Sequence, residues 1–184
     1  MVESDCYTQV NDNLSGWIAN RAPNAALRKM ALRVVKHSTP EQWVKYFWWD
    51  ALCLDTDTCL DMSQTLRDID ADFPIKAIGV TRIAPNTVYP LHKDTNRGCG
   101  INMMLSDCNL HSTESFCAWV DHESTVQLQY EQDTMYLLNT RIEHTVYNFR
   151  YERLMFMVEL ESTNIDQRNY FPDFEQVKEA LEQS

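Results

Sequence analysis

The chain contains no apolar run approaching the roughly 18 residues that a membrane-spanning helix needs. Its opening residues, Met1-Val-Glu-Ser-Asp-Cys6, carry neither a basic stretch nor an apolar one, so no secretory leader is read there. The six cysteines, at 6, 53, 59, 99, 108 and 117, include no C-x-x-C pair, and without a leader they are expected to stay reduced. Basic residues are scarce: 16 Lys and Arg stand against 27 Asp and Glu, a net charge of −11. That surplus repels phosphate backbones and sets nucleic acid aside as a partner of the surface as a whole. No internal repeat, low-complexity tract or linker breaks the chain. These absences, at 184 residues, lead to one expectation: a single soluble cytoplasmic domain spanning 1–184, with no membrane partner and enough length to bury a core. Oligomeric state stays open.

What is present falls into three stretches. Residues 1–72 read mostly helical: Leu27, Met30, Ala31, Val34 and Val35 recur at helical spacing with basic residues between them. Thr39-Pro40-Glu41-Gln42 follows as a capping box with proline at the first helical position, and is expected to open a helix through Trp43, Phe47 and Trp48. The Trp48-Trp49 pair is read as core filler in preference to a binding platform. From Phe73 the period changes. Short β-rich runs at 75–83, 88–94, 100–105, 116–121, 126–130, 134–139, 144–148 and 154–160 are separated by turn clusters such as Ala84-Pro85-Asn86. Strands in succession without helices between them imply a mainly β fold with flanking helices, a jelly roll or related antiparallel barrel over 73–162. The run 154–160 is apolar on both faces and should be covered twice, by the barrel core and by the N-terminal helices. In the tail, 163–184, Pro172, Phe174, Val177, Ala180 and Leu181 again have helical spacing.

The chemistry gathers around His92-Lys93-Asp94, His144 and Arg153. On a strand, His92 and Asp94 at i and i+2 leave the same face. Two imidazoles and one carboxylate suit Fe(II) and leave coordination positions open for a cosubstrate and O₂. A bare H-x-D arises often by chance, and each histidine alone is more commonly structural; ordered spacing with Arg153 reverses the balance. Asn148 shares a strand face with His144 and Val146 and is a candidate support for the site. Arg97 and Arg141 read as surface ion-pairing residues ahead of substrate contacts. Cys108, His111, Cys117 and His122 could be arranged as a zinc site. Cys117 lies in an apolar strand, however, where a thiol acts as a small hydrophobe, and core packing is preferred. Met103, Met104, Met155 and Met157 likewise read as packing.

Tyr89-Pro-Leu-His-Lys-Asp94, Gly100-Ile-Asn-Met-Met-Leu105, His144-Thr-Val-Tyr-Asn148 and Arg153-Leu-Met-Phe-Met-Val-Glu159 together resemble the Fe(II)/2-oxoglutarate-dependent dioxygenases, in the aspartyl/asparaginyl β-hydroxylase-like and amino-acid hydroxylase branch. The resemblance covers about 73–160 and leaves the front of the chain unmatched. It implies a double-stranded β-helix (jelly roll, cupin-like) with an N-terminal helical region and a C-terminal helix. It also implies hydroxylation of a C–H bond, with Fe(II), 2-oxoglutarate as cosubstrate and O₂, ascorbate being a candidate stimulant. By position, His92, Asp94 and His144 would be the metal ligands and Arg153 would bind the distal carboxylate of 2-oxoglutarate. Thr81 and Asn102 stand where the family places polar groups near the cosubstrate. Arg153 lies nine residues past His144, one fewer than is usual in the family, which makes Arg150 a rival. Retention of Asp94 favours hydroxylation over halogenation. The expected partner is a small molecule or peptide, probed best as a free amino acid or a peptidyl side chain. The competing class is a non-oxidative cupin-like metal-binding protein, an isomerase or small-molecule binding module, which would not need Arg153. A catalytically dead scaffold is a third reading, since fold does not fix function.

Overall fold

The computed structural model describes residues 15–18, 21–110, 116–119, 125–128, 130–165 and 168–183. Strand β1 (Ser15–Ile18) precedes helix α1 (Arg21–His37), and a single 3₁₀ turn (Pro40–Gln42) leads into β2 (Trp43–Lys45) and β3 (Asp50–Cys53). Two short helices follow, α2 (Thr56–Met62) and α3 (Gln64–Asp72). The strand-rich body comprises β4 (Ile75–Ile83), β5 (Thr87–His92), β6 (Cys99–Met104), β7 (Phe116–Trp119), β8 (Thr125–Leu128), β9 (Met135–Asn139), β10 (His144–Asn148) and β11 (Arg153–Leu160). The hairpin β12 (Thr163–Ile165) and β13 (Arg168–Tyr170) and helix α4 (Phe174–Gln183) close the chain.

The strands form a seven-stranded sheet in the order β1-β9-β6-β11-β4-β3-β2 and a four-stranded sheet in the order β5-β10-β7-β8. Pairing within both is antiparallel. This is the double-stranded β-helix architecture that the short, successive strands imply. Side chains alternate across the large sheet. Leu52, Val80, Phe156, Met103 and Met135 lie in register on one face. They join Leu27 and Ala31 of α1, Leu66 and Ile69 of α3, and Phe174 and Val177 of α4 in the main core. Arg153, Met155 and Met157 leave the other face, beside Met104, Asn102 and Tyr136 in register. There a smaller cluster of Tyr136 and Leu138 packs against Tyr130, Ile142 and Val146 of the facing half. β11 is therefore covered on both sides.

The front of the chain departs from the helical reading in two places: Ser15–Ile18 is a strand paired with β9, and the capping box does not open a helix. Gln42 Oε1 does accept from the Thr39 N–H at 2.8 Å, but the turn it caps is one 3₁₀ turn that gives way to a β-hairpin. The residues that follow explain this: Trp43, Val44, Tyr46, Phe47, Trp48 and Trp49 are aromatic or β-branched and prefer a pleated surface to a helix. Trp43 is buried, with its indole N–H donating to Ser38 Oγ at 2.9 Å and the Arg82 guanidinium 4.1 Å over its ring. Trp48 is not core filler: it sits on the hairpin turn and is 36% exposed. The tail departs as well, because the β12–β13 hairpin precedes the helix. α4 itself begins just after Pro172, where Asp173 Oδ1 accepts from Gln176 N at 2.9 Å.

Candidate metal centre

Antiparallel pairing of β5 with β10 sets His92 directly opposite His144 and brings their ring centroids to 4.3 Å. A register shift between His144 and Val146 lets both imidazoles face the barrel interior. Asp94 does not stand on the strand, which ends at His92; it lies two residues beyond, in the loop to β6. The loop is pinned instead by backbone contacts with the β9–β10 turn. Asp94 N donates to Thr140 O at 3.0 Å, and Arg141 Nη1 donates to Asp94 O at 3.0 Å. Behind the loop, a Cβ on Gly98 would meet Pro172 O at 2.3 Å, so only glycine lets the segment before α4 pack there. Pinned at both ends, the loop delivers its carboxylate to the two histidines. One ligand atom from each of His92, Asp94 and His144 lies within 4.8 Å of the others.

The histidines are already oriented for a metal. His92 Nδ1 lies 2.7 Å from Pro90 O and His144 Nδ1 2.8 Å from Ile142 O. Each Nδ1 must carry the proton to make such a bond, which leaves Nε2 as the lone-pair nitrogen. His92 Nε2 is buried with no hydrogen bond, 3.4 Å from Asp94 Oδ1. Burial holds the His144 imidazole below its usual range, favouring the neutral form that a metal takes as ligand. Asp94 offers its other oxygen, Oδ2, to Arg97 Nε at 2.5 Å. One carboxylate oxygen is thereby committed to a cation and the other faces the imidazoles. The donor set, two neutral imidazoles and a carboxylate with no thiolate, fits Fe(II).

Arg153 is 2% exposed and projects from the interior face of β11. Its guanidinium lies 5.3 Å from the Tyr130 ring centroid. Burial pushes the Tyr130 phenol up, against the pull of the nearby Arg153 charge and the Asn102 side chain. Asn102 Oδ1 is also buried without a hydrogen bond, leaving a polar acceptor inside the barrel. The arrangement brings Arg153 and Asn102 together through Tyr130. Thr81 shares their sheet face but is paired with Met155, a row away from both. Arg150, the rival, is exposed on the turn before β11.

Four residues near the site, Arg97, Arg141, Tyr89 and Tyr130, are given no part in it by the sequence motifs. Arg97 and Arg141 do make polar contacts, but both are with Asp94 itself. Tyr89 packs edge-on against the His92 ring at 4.2 Å. Tyr130 could not be read locally, since it meets Arg153 only through the fold. Asn148, expected beside the metal, stands at the opposite end of β10 from His144. It donates to Ile83 O and Ala84 O at 3.1 and 2.7 Å, bracing the turn between β4 and β5. His111, His122 and the side chain of Cys117, which enter the zinc alternative, lie outside the described residues.

No family model matches the chain, and no curated protein sequence matches it. Solved structures do. A prolyl-4-hydroxylase from Pseudomonas putida superposes with a TM-score of 0.60 at 12% identity, covering 84% of this chain and 96% of that one. A 2OG-Fe(II) oxygenase family oxidoreductase from Burkholderia pseudomallei gives 0.59 at 10% identity, covering 91% of each chain. HygX from Streptomyces hygroscopicus, solved with nickel, 2-oxoglutarate and hygromycin B, gives 0.58 at 11% identity and covers 86% of each. At such identities the likeness speaks for architecture: the chain has the double-stranded β-helix fold shared by these 2-oxoglutarate/Fe(II) oxygenases.

Proposed function

We propose that the chain is an Fe(II)- and 2-oxoglutarate-dependent oxygenase that hydroxylates a C–H bond of a free amino acid or a peptidyl side chain. The observation that carries this reading is the convergence of His92, Asp94 and His144 within 4.8 Å, in a barrel whose interior also holds a buried arginine. When bound, Fe(II) and 2-oxoglutarate supply the oxidising chemistry: O₂ is divided between succinate, formed with loss of CO₂, and the hydroxylated product. The protein's part is to bind and orient. His92 and His144 hold the metal through Nε2, their rings fixed by the Nδ1–H bonds to Pro90 and Ile142. Asp94 holds it through the oxygen that Arg97 leaves open.

Arg153 takes the distal carboxylate of the cosubstrate. A guanidinium stays charged where a lysine would lose its proton, and its planar fork matches a carboxylate. Tyr130 and Asn102 flank that end with further polar atoms. Thr81 is proposed as a more distant polar contact on the same face. A non-oxidative cupin needs no arginine inside its barrel, so the burial of Arg153 on the barrel face favours the oxygenase. The amino-acid or peptide substrate class rests on the sequence resemblance, since the structural neighbours are named for ligands as different as a peptide fragment and hygromycin B.

The test is turnover. With Fe(II), ascorbate and 2-oxoglutarate, an amino-acid or peptide library should raise succinate release above its uncoupled background. The product should gain about 16 mass units, one oxygen atom. Stimulation by nucleotides alone would overturn the substrate class. No stimulation by any compound, with tight metal binding retained, would move the reading to a non-oxidative cupin.

A further inference from the structure

We propose that the turn between β2 and β3, Tyr46-Phe47-Trp48-Trp49, is a stacking platform that holds an uncharged aromatic amino-acid side chain of the substrate beside the metal centre. This deepens the oxygenase reading and rests on it. A four-residue hairpin connection ordinarily uses Gly, Asn, Asp, Pro or Ser, whose backbone preferences or short side chains make the turn. Here all four positions are aromatic. Two of them account for the turn: Tyr46 and Trp49 stack at 4.1 Å with an interplanar angle of 18°, and Tyr46 N donates to Trp49 O at 2.9 Å. The other two do nothing for the hairpin. Phe47 is 87% exposed and Trp48 36%, packed edge to face at 4.5 Å.

A single exposed hydrophobe needs no explanation, whereas adjoining exposed rings at the mouth of a site do. These rings continue into the site. Trp48 lies 6.3 Å from the Tyr89 ring, Tyr89 lies 4.2 Å from His92, and His92 lies 4.3 Å from His144. The first of these spacings is that of an ordinary aromatic pair, so a ring placed against Phe47 and Trp48 would extend the same series outward. The turn offers no ionic handle: its own residues are uncharged, and the flanking Lys45 and Asp50 pair with each other at 2.8 Å. Its surface thus selects for ring shape and offers an anion no partner.

Saturation-transfer NMR on the full metal-free chain tests this with two neutral probes, N-acetyl-L-phenylalanine amide and N-acetyl-L-leucine amide. The phenylalanine ring protons should receive about threefold to tenfold more saturation than the leucine methyls, the advantage expected of one aromatic pair. Phe47→Ser, at a nearly fully exposed position, should remove most of that advantage, and Phe47→Ser with Trp48→Ser all of it, with circular dichroism unchanged. Loading the chain with Mn(II) should broaden the bound ring's signals, placing it next to the metal ligands. Equal responses from the two probes, or a phenylalanine response that survives both variants, would overturn the platform. So would a concentration-dependent dimer that Phe47→Ser converts to monomer, which would assign the face to a second copy. If Mn(II) fails to bind, the oxygenase reading falls by itself, while the metal-free comparison still decides whether the turn binds rings.

Discussion

The two faces of the seven-stranded sheet come from the same strands yet differ in kind. On the helix side, Leu52, Val80, Ile101, Met103, Phe156 and Val158 form an apolar core with almost no exposure. On the barrel side, one residue over along the same strands, stand Arg153, Asn102 and Tyr136, and the hydrophobic cluster there has Tyr136 and Leu138 as its buried members among the described residues. The period-2 alternation of β structure lets a single strand such as β11 present an apolar core on one face and polar side chains to the candidate site on the other. Substitutions one residue apart should therefore have effects of different types.

The largest expected effect is on the helix side. Phe156→Ala should destabilise the fold by ~3–5 kcal/mol, the usual cost of emptying a phenylalanine site in a core. It should leave 2-oxoglutarate affinity of the folded fraction little changed, as read by chemical denaturation alongside ligand titration. A large loss of affinity with little loss of stability would show that the two faces are not separable. On the barrel side, Arg153→Ala should weaken 2-oxoglutarate binding by roughly 2–5 kcal/mol, as expected on truncating one member of a buried charge pair. Arg150→Ala should do little in the same calorimetric titration. The reverse ranking would move the carboxylate contact to Arg150.

Arg97→Ala sharpens the comparison at the loop. Freed from Arg97, the Asp94 carboxylate loses its orientation, and Fe(II) affinity should fall about 10- to 100-fold, typical of an outer partner of a metal ligand. Thermal stability should barely move. The smallest effect concerns thiols. Burial pushes both Cys59 and Cys99, members of the helix-side core, up to about 12. Among the described cysteines, exposed Cys53 should therefore be alkylated first at mildly alkaline pH, with Cys59 and Cys99 protected until the core opens. Mass mapping of the modified sites would show this, and Phe156→Ala should shorten the protection.

The legible parts of the molecule were those written in local periodicity. Strand β11 carries two apolar registers in succession, and the double covering of Phe156 and Met155 follows from them. The H-x-D with a distal histidine picked out three side chains that do converge, although the reason they assemble differs from the strand geometry inferred from sequence. Asp94 reaches the histidines because Thr140 and Arg141 hold its backbone, contacts between segments 46 and 47 residues apart that no local pattern encodes. Tyr130 is hidden for the same reason, since only the closed barrel brings it to Arg153. The Thr39–Gln42 box misled because its hydrogen bond forms in a single 3₁₀ turn as readily as at the head of a helix. Propensity in the next residues then decided for strands.

The central claim is that His92, Asp94 and His144 bind a metal that takes up 2-oxoglutarate with the help of Arg153. Anaerobic titration of the protein with Fe(II) and then 2-oxoglutarate, followed by visible absorption, tests it most directly. The account predicts a weak charge-transfer band that saturates with cosubstrate. The band should vanish in His92→Ala and His144→Ala, each of which removes one of only three protein ligands, and should require much more 2-oxoglutarate in Arg153→Ala. Wild-type iron affinity and an unchanged band in both histidine variants would contradict it.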